Sequence, residues 1–278
     1  MTIKTKQLLL SCLLTVSLIA CNNETKEETN DETKATSVQI KEEAVSYTAD
    51  TITANGFVVY DENKEGKRPA VLVVHEWWGL GEYARSRAKQ LAELGYIAMA
   101  VDMYGNGRTA EDPGGAQTLA TPFYMNPQLA KTRLDAAITK LKTYAQTDTS
   151  KMAAIGYCFG GFVVLNAAKL GADLKGVVSF HGNLLGAPVD KDLLKANVLV
   201  CHGEADNFVP PAEVNAFKKS MDSINAGYTF KSYPNAVHAF TNPKATETGK
   251  KFNMPVAYNA SADSTSWNDM KTFFANIF

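Results

Sequence analysis

The chain has 278 residues, 28 basic against 29 acidic side chains, four cysteines and four histidines. A net charge of −1 gives no overall attraction to nucleic acid or to an anionic membrane. With 45 % apolar and 21 % charged residues the chain is neither disordered nor collagen-like, and its cysteines are too few for a disulfide-built scaffold.

At the N-terminus, Lys4 and Lys6 precede an apolar run over residues 8–20 that closes on Leu18-Ile19-Ala20-Cys21. A basic start, a short apolar core and a small residue before the cut site form a secretory signal. The run is too short for an ordinary membrane-spanning helix, which needs about 20 apolar residues. Ending on cysteine, it is similar to a bacterial lipoprotein signal, which implies removal of residues 1–20 and acylation of Cys21. Residues 21–44, rich in Glu, Thr, Asn and Lys, bury too little apolar surface to offset their ordering entropy and are expected to form a polar tether. The expected location is the cell envelope outside the cytoplasm, touching the membrane only through lipid.

The folded domain is expected over residues 45–278. Residues 52–60, around Asn55-Gly56, suggest early antiparallel strands or a hairpin. Residues 70–74 form a continuous apolar run, as in a strand buried on both faces. A helix follows over 82–94 with Gly95 as its stop, then a strand over 96–101 and a helix over 126–146, with 112–127 read as a loop. Next come strand 152–155, helix 159–170, strands 176–180 and 198–201, helix 212–224, strand 228–233 and a last helix near 266–276. This alternation predicts one α/β domain, with a mostly parallel sheet covered by helices on both faces.

Gly156-Tyr157-Cys158-Phe159-Gly160-Gly161 lies between a strand and a helix and fits the nucleophile elbow G-x-S-x-G, with Cys in place of Ser. A helix N-terminus behind Cys158 favours the thiolate, its reactive form. The partners of such a nucleophile follow it in the order acid, histidine. Strand 198–201 runs into His202-Gly203-Glu204-Ala205-Asp206, and a later loop carries His238. Asp206 is the expected acid, Glu204 the fallback and His238 the base; chain order disfavours His75 and His181. An oxyanion hole would take the backbone N–H of Phe159 and one from His75-Glu76-Trp77-Trp78-Gly79, with Trp77 the expected donor. Trp77 and Trp78 either fill core or wall an apolar cleft.

Glu76, Cys158, Asp206 and His238, with Asp102-Met103-Tyr104-Gly105 and an aromatic C-terminal helix, resemble the dienelactone hydrolase family of the α/β-hydrolase superfamily from about residue 46 to the end. The resemblance implies an α/β-hydrolase fold and a Cys-His-Asp triad opening a cyclic enol ester through an acyl-enzyme. It implies no cofactor, and a glutamate at Glu76 that holds the resting thiol and helps activate it. Lactone-cleaving members grip the substrate carboxylate with two arginines. Arg108 is the candidate for the first, while Asn242 stands at the second position and cannot form a bidentate ion pair. A neutral ester or an acylated sugar suits these residues at least as well as an anionic lactone, with Trp78 a further substrate contact.

Two other readings compete. Gly79-Leu80-Gly81-Glu82-Tyr83-Ala84 matches a dinucleotide fingerprint, but residues 75–78 intervene where a tight turn is needed. A non-catalytic, surface-tethered binding protein could keep the fold, and a Cys158–Cys201 disulfide would abolish catalysis. The expectation is a monomeric esterase acting on a small molecule, with no metal and no nucleic-acid partner.

Overall fold

In the computed structural model, which describes residues 37–278, the alternating signals become eight strands and seven helices. They run β1 (Ile40–Ala49), β2 (Ile52–Asp61), β3 (Arg68–Val74), α1 (Glu82–Glu93), β4 (Ile97–Val101), α2 (Pro113–Met125), α3 (Pro127–Lys142) and β5 (Thr147–Tyr157). Then follow α4 (Phe159–Lys169), β6 (Gly176–Phe180), β7 (Asn197–Gly203), α5 (Pro211–Ser223), β8 (Tyr228–Tyr233), α6 (Ala245–Phe252) and α7 (Ala260–Ile277). The signal segment, Cys21 and the tether up to residue 36 lie outside the described residues. No helix among those described is long and apolar enough to cross a membrane.

One sheet holds all eight strands in the order β1-β2-β4-β3-β5-β6-β7-β8. The β1–β2 and β2–β4 pairs are antiparallel and the remaining pairs parallel, which gives the α/β-hydrolase type of sheet. The period of two along each strand divides the core. Ala70, Leu72 and Val74 of β3 face one apolar layer with α3, α4 and α5, whereas Val71 and Val73 face α1 and α7. Strands covered on both faces explain why they read as unbroken apolar runs. The chain leaves β3 for β4 on one side, then returns over β3 to β5 on the other. Such a reversal opens a crevice at the C-terminal strand ends, where ligands of open α/β sheets bind.

Three local expectations need correction. The tether does not extend to residue 44, because β1 starts at Ile40 and pairs with β2 along its whole length. An edge strand tolerates such polar residues because its backbone ladder carries the pairing. Its charges also find partners: Glu42 takes Arg85 at 2.7 Å and Glu43 takes Lys41 at 3.0 Å. The early antiparallel strands are β1 and β2, with Asn55-Gly56 inside β2 and the chain reversing at Asp50, whose φ is 57°. A Cβ on Gly56 would stand 2.7 Å from the Ala100 carbonyl oxygen, so this glycine serves a close strand approach.

Residues 113–125 form a helix, not a loop. Two glycines and Pro122 weaken its local signal, but Asp112 caps it by accepting from the Gly115 N–H at 2.9 Å, and Ala116, Ala120 and Phe123 are buried. The short helix α6 went unread in the sequence. The final helix starts earlier than expected, at a cap where Asn259 accepts from the Ala262 N–H at 3.1 Å.

Candidate active site

Cys158 sits between β5 and α4 with φ 53° and ψ −114°, a backbone conformation that a residue with a side chain rarely adopts. The surrounding glycines make it possible. A Cβ on Gly156 would lie 2.0 Å from the Gly160 carbonyl oxygen, and one on Gly160 would lie 2.3 Å from that of Val74. The turn brings β5, α4 and the end of β3 so close that only hydrogen fits. Cys158 is the N-cap of α4, half-buried, and faces the positive end of that helix.

The segment after β7 carries the candidate acid. The fully buried Asp206 carboxylate accepts from His238 Nδ1 at 2.9 Å through Oδ2, and from the Phe208 N–H at 2.9 Å through Oδ1. Glu204 is exposed and has no part in this pair. Burial alone would depress the His238 imidazolium. The neighbouring Cys158 charge and the hydrogen bond to Asp206 outweigh burial and push the group up to about 10. His238, held by Asp206 and beside Cys158, can therefore keep a proton at neutral pH and stabilise a thiolate.

The loop after β3 adds Glu76, Trp77 and Trp78. Desolvation raises the Glu76 carboxyl to about 7, against the opposing Asn242 hydrogen bond and His238 charge. Asn242 Nδ2 donates to Glu76 Oε2 at 2.6 Å. Among the described residues no hydrogen bond joins Glu76 to the Cys158 thiol, so the carboxyl that the resemblance implies for holding the thiol is held instead by the residue replacing the second arginine. Trp77 packs against the core and also lines the cleft, and Trp78 stacks on Phe252 of α6 with centroids 5.7 Å apart. Both tryptophan readings therefore apply. The Trp77 N–H has no acceptor among the described residues. Phe159, the first residue of α4, has an N–H beyond the reach of the helix's own carbonyls.

Arg108 is a correction. Its guanidinium is turned onto the carbonyl oxygens of Tyr104 and Gly105, and it does not line the cleft. The loop that carries it is knotted around Asp102, whose carboxylate accepts from the N–H groups of Asn55, Tyr104, Gly105 and Gly107. Such a turn spends the arginine on its own backbone. Cys201 is a free, buried thiol of β7, pushed up to about 12 by burial, and Cys158 is also free.

Chain order set His75 and His181 aside as bases, and both sit behind the site. His75 bridges the Glu76 carbonyl at 2.5 Å and the Met103 N–H at 3.3 Å. His181 Nδ1 accepts from the Cys158 N–H at 3.1 Å, and its Nε2 meets Thr241 Oγ1 at 2.7 Å. That pattern requires a neutral ring protonated on Nε2, and burial holds its pKa well below the usual histidine range. His181 thus ties the Cys158 backbone to the loop that carries His238.

Cys158, His238 and Glu76 open into one cleft of about 420 Å³, within the roughly 300–1,000 Å³ of small-molecule sites. Sequence reasoning missed most of its walls: Tyr124 of α2, Phe162, Leu185, Phe208 and the residues of α6. Phe162 was legible, since it lies one helical turn beyond Cys158 on the same face. The others depend on loops meeting in space. Among the described residues, Glu76, Glu213 and His238 are the charged or ionisable side chains other than Cys158 and Tyr124 that line the cleft, and no lysine or arginine does. Among the described residues no group of three or more His, Cys, Asp or Glu is placed to hold a metal ion.

A family model described as "Dienelactone hydrolase family" matches residues 54–278. A protein of Methylorubrum extorquens named "Putative carboxymethylenebutenolidase" is 30 % identical over 63 % of this chain and 64 % of its own length. Protein usf of Aquifex pyrophilus is 29 % identical over 74 % of this chain and 87 % of its own. Among solved structures, a dienelactone hydrolase-like promiscuous phosphotriesterase from metagenomic libraries superimposes with a TM-score of 0.81 at 34 % identity, covering 86 % of this chain and 99 % of that one.

Proposed function

This chain belongs to the dienelactone hydrolase family and is a hydrolase of that type, and on that premise we propose that it cleaves an uncharged ester or lactone through an acyl-enzyme on Cys158. The observation that carries the reading is the Asp206–His238 hydrogen bond, set beside a cysteine strained onto a nucleophile elbow and open to the same cleft.

The thiolate attacks the carbonyl carbon, forming a carbon–sulfur bond while negative charge builds on the carbonyl oxygen. The N–H groups of Trp77 and Phe159 would receive that charge. The carbon–oxygen bond to the alcohol then breaks and the departing oxygen takes the proton from His238 Nε2. In the second half, neutral His238 takes a proton from water, the hydroxide attacks the thioester, and the carboxylic acid leaves with return of the thiolate–imidazolium pair. Asp206 fixes the tautomer and stabilises the imidazolium throughout.

An uncharged substrate follows from the walls. A carboxylate would meet Glu76 and Glu213 and, among the described residues, no lysine or arginine, while the protonated His238 is already engaged by Asp206 and Cys158, and desolvating an unpaired charge is costly. The metagenomic neighbour's description as a promiscuous phosphotriesterase supports the same class, since phosphotriesters carry no charge. A panel of p-nitrophenyl esters, neutral and anionic lactones and acetylated sugars, run with wild type and Cys158→Ala, tests the reading. The expected result is a burst with wild type, preference for neutral substrates, and loss of turnover in the variant. Equal turnover by both proteins defeats the mechanism. The signal features support a domain tethered by lipid on Cys21 outside the cytoplasm, and mass spectrometry of the mature N-terminus tests that by seeking acylated Cys21.

A further inference from the structure

Large apolar side chains among the described residues are mostly buried, but Leu185 and Phe208 are 56 % and 43 % exposed, and both line the cleft. The catalytic pair itself places Phe208. Its N–H donates to Asp206 Oδ1 at 2.9 Å, and its ring centroid lies 4.9 Å from that of His238. The Phe208 carbonyl accepts from Asn183 Nδ2 at 3.2 Å, which joins it to the loop carrying Leu185. Asn166 and Lys169, both buried, and the half-buried Glu213 fix that loop. Asn166 donates to the Leu185 carbonyl at 3.1 Å and accepts from the Ala187 N–H at 2.7 Å. Lys169 Nζ and Glu213 Oε1 grip the two ends of the Leu184 backbone at 2.9 Å and 2.5 Å. Two exposed apolar side chains are thus held firmly on the His238 side of the cleft.

The chemistry of that side follows from the proton. When the bond between the acyl carbon and the alcohol oxygen breaks, the imidazolium proton moves to the departing oxygen, so the alcohol portion lies against His238. Its continuation then passes over Phe208 towards Leu185. We propose that Phe208 and Leu185 form a leaving-group subsite, and that the substrate is an ester of an uncharged, apolar alcohol whose alkyl or aryl chain passes His238 and covers Leu185. A strongly hydrated alcohol would gain little by covering these side chains. The proposal rests on the Cys158 acyl-enzyme reading and goes beyond it by naming the alcohol.

The test uses acetyl esters of straight-chain alcohols from ethanol to hexanol, whose leaving oxygens are chemically alike, beside ethyl esters of lengthening acids. In the alcohol series kcat/KM is expected to rise about threefold per added methylene, more steeply than in the acid series. Leu185→Ser is expected to cut the hexyl-to-ethyl ratio by about tenfold, and Leu185→Phe to preserve it. A flat alcohol series, or a ratio unchanged in Leu185→Ser, overturns the subsite while acyl-Cys158 trapped by mass spectrometry keeps the acyl-enzyme reading. Absence of any acyl-Cys158 adduct overturns that reading and the subsite with it.

Discussion

Replacing Glu76 by Gln isolates the cost of a buried carboxylate at the mouth of the site. The amide oxygen of glutamine can still accept from Asn242, so the partner met at 2.6 Å is kept while the charge is lost. In the wild type the carboxyl titrates at about 7 in the folded state against 4.5 as its ordinary value. The folded protein therefore holds this proton more tightly than the unfolded chain does. Stability from this group is fully present below pH 4.5 and is lost as pH rises through 7. At ~1.36 kcal/mol per pH unit the loss is about 3 kcal/mol. Urea unfolding of both proteins at pH 4.5, 6 and 8 is the assay. Glu76→Gln should match the wild type at the lowest pH and exceed it by about 3 kcal/mol at pH 8, roughly 5–10 °C in Tm. Iodoacetamide labelling of Cys158 over the same range shows whether the carboxylate also acts on the thiol, as a changed pH profile. Parallel stability curves would refute the reasoning, because they would mean that Glu76 is already ionised and solvated in the fold.

Other outcomes follow from the same site. Asp206→Asn should lower kcat by about 10⁴-fold by favouring the wrong His238 tautomer, and NMR should show the imidazole titrating at lower pH; an unshifted titration would remove Asp206 from its role. The Cys158 N–H also reaches the Phe180 carbonyl at 3.0 Å; His181→Asn keeps the side-chain acceptor as well, whereas His181→Gln keeps only the Thr241 partner. The glutamine variant should lose about 10–100-fold in kcat with little change in KM and the asparagine variant much less; equal losses would show that His181 merely fills space. Gly160→Ala forces a methyl group to 2.3 Å from the Val74 carbonyl oxygen. It should destabilise the domain by about 3 kcal/mol in urea, and a cost below about 1 kcal/mol would show that the elbow can relax.

Much of the site was legible because its chemistry is local. The elbow needs glycines at fixed offsets from Cys158, and chain order separated His238 and Asp206 from His75 and His181. The unread parts are those where distant segments set the meaning of a residue. Arg108 reads as a free cation, yet its own turn around Asp102 consumes it. Helix α2 looks like a loop through its glycines and Pro122, until burial of Ala116, Ala120 and Phe123 overrides propensity. Asn242 reads as a missing arginine, and only the fold shows it bonded to Glu76 across 166 positions of chain.

The sequence by itself determined the α/β class, the family, the glycine-flanked turn at Cys158 and the chain order of Asp206 and His238, because strand periodicity, steric demand at a turn and topological order are properties of short segments. Tertiary structure decided the desolvation of Glu76, the withdrawal of Arg108 and the exposure of Phe208 and Leu185 at the cleft. These are matters of solvent and charge in a shared space. Desolvation, long-range hydrogen bonding and exposure arise only when loops far apart in the chain close around one cleft.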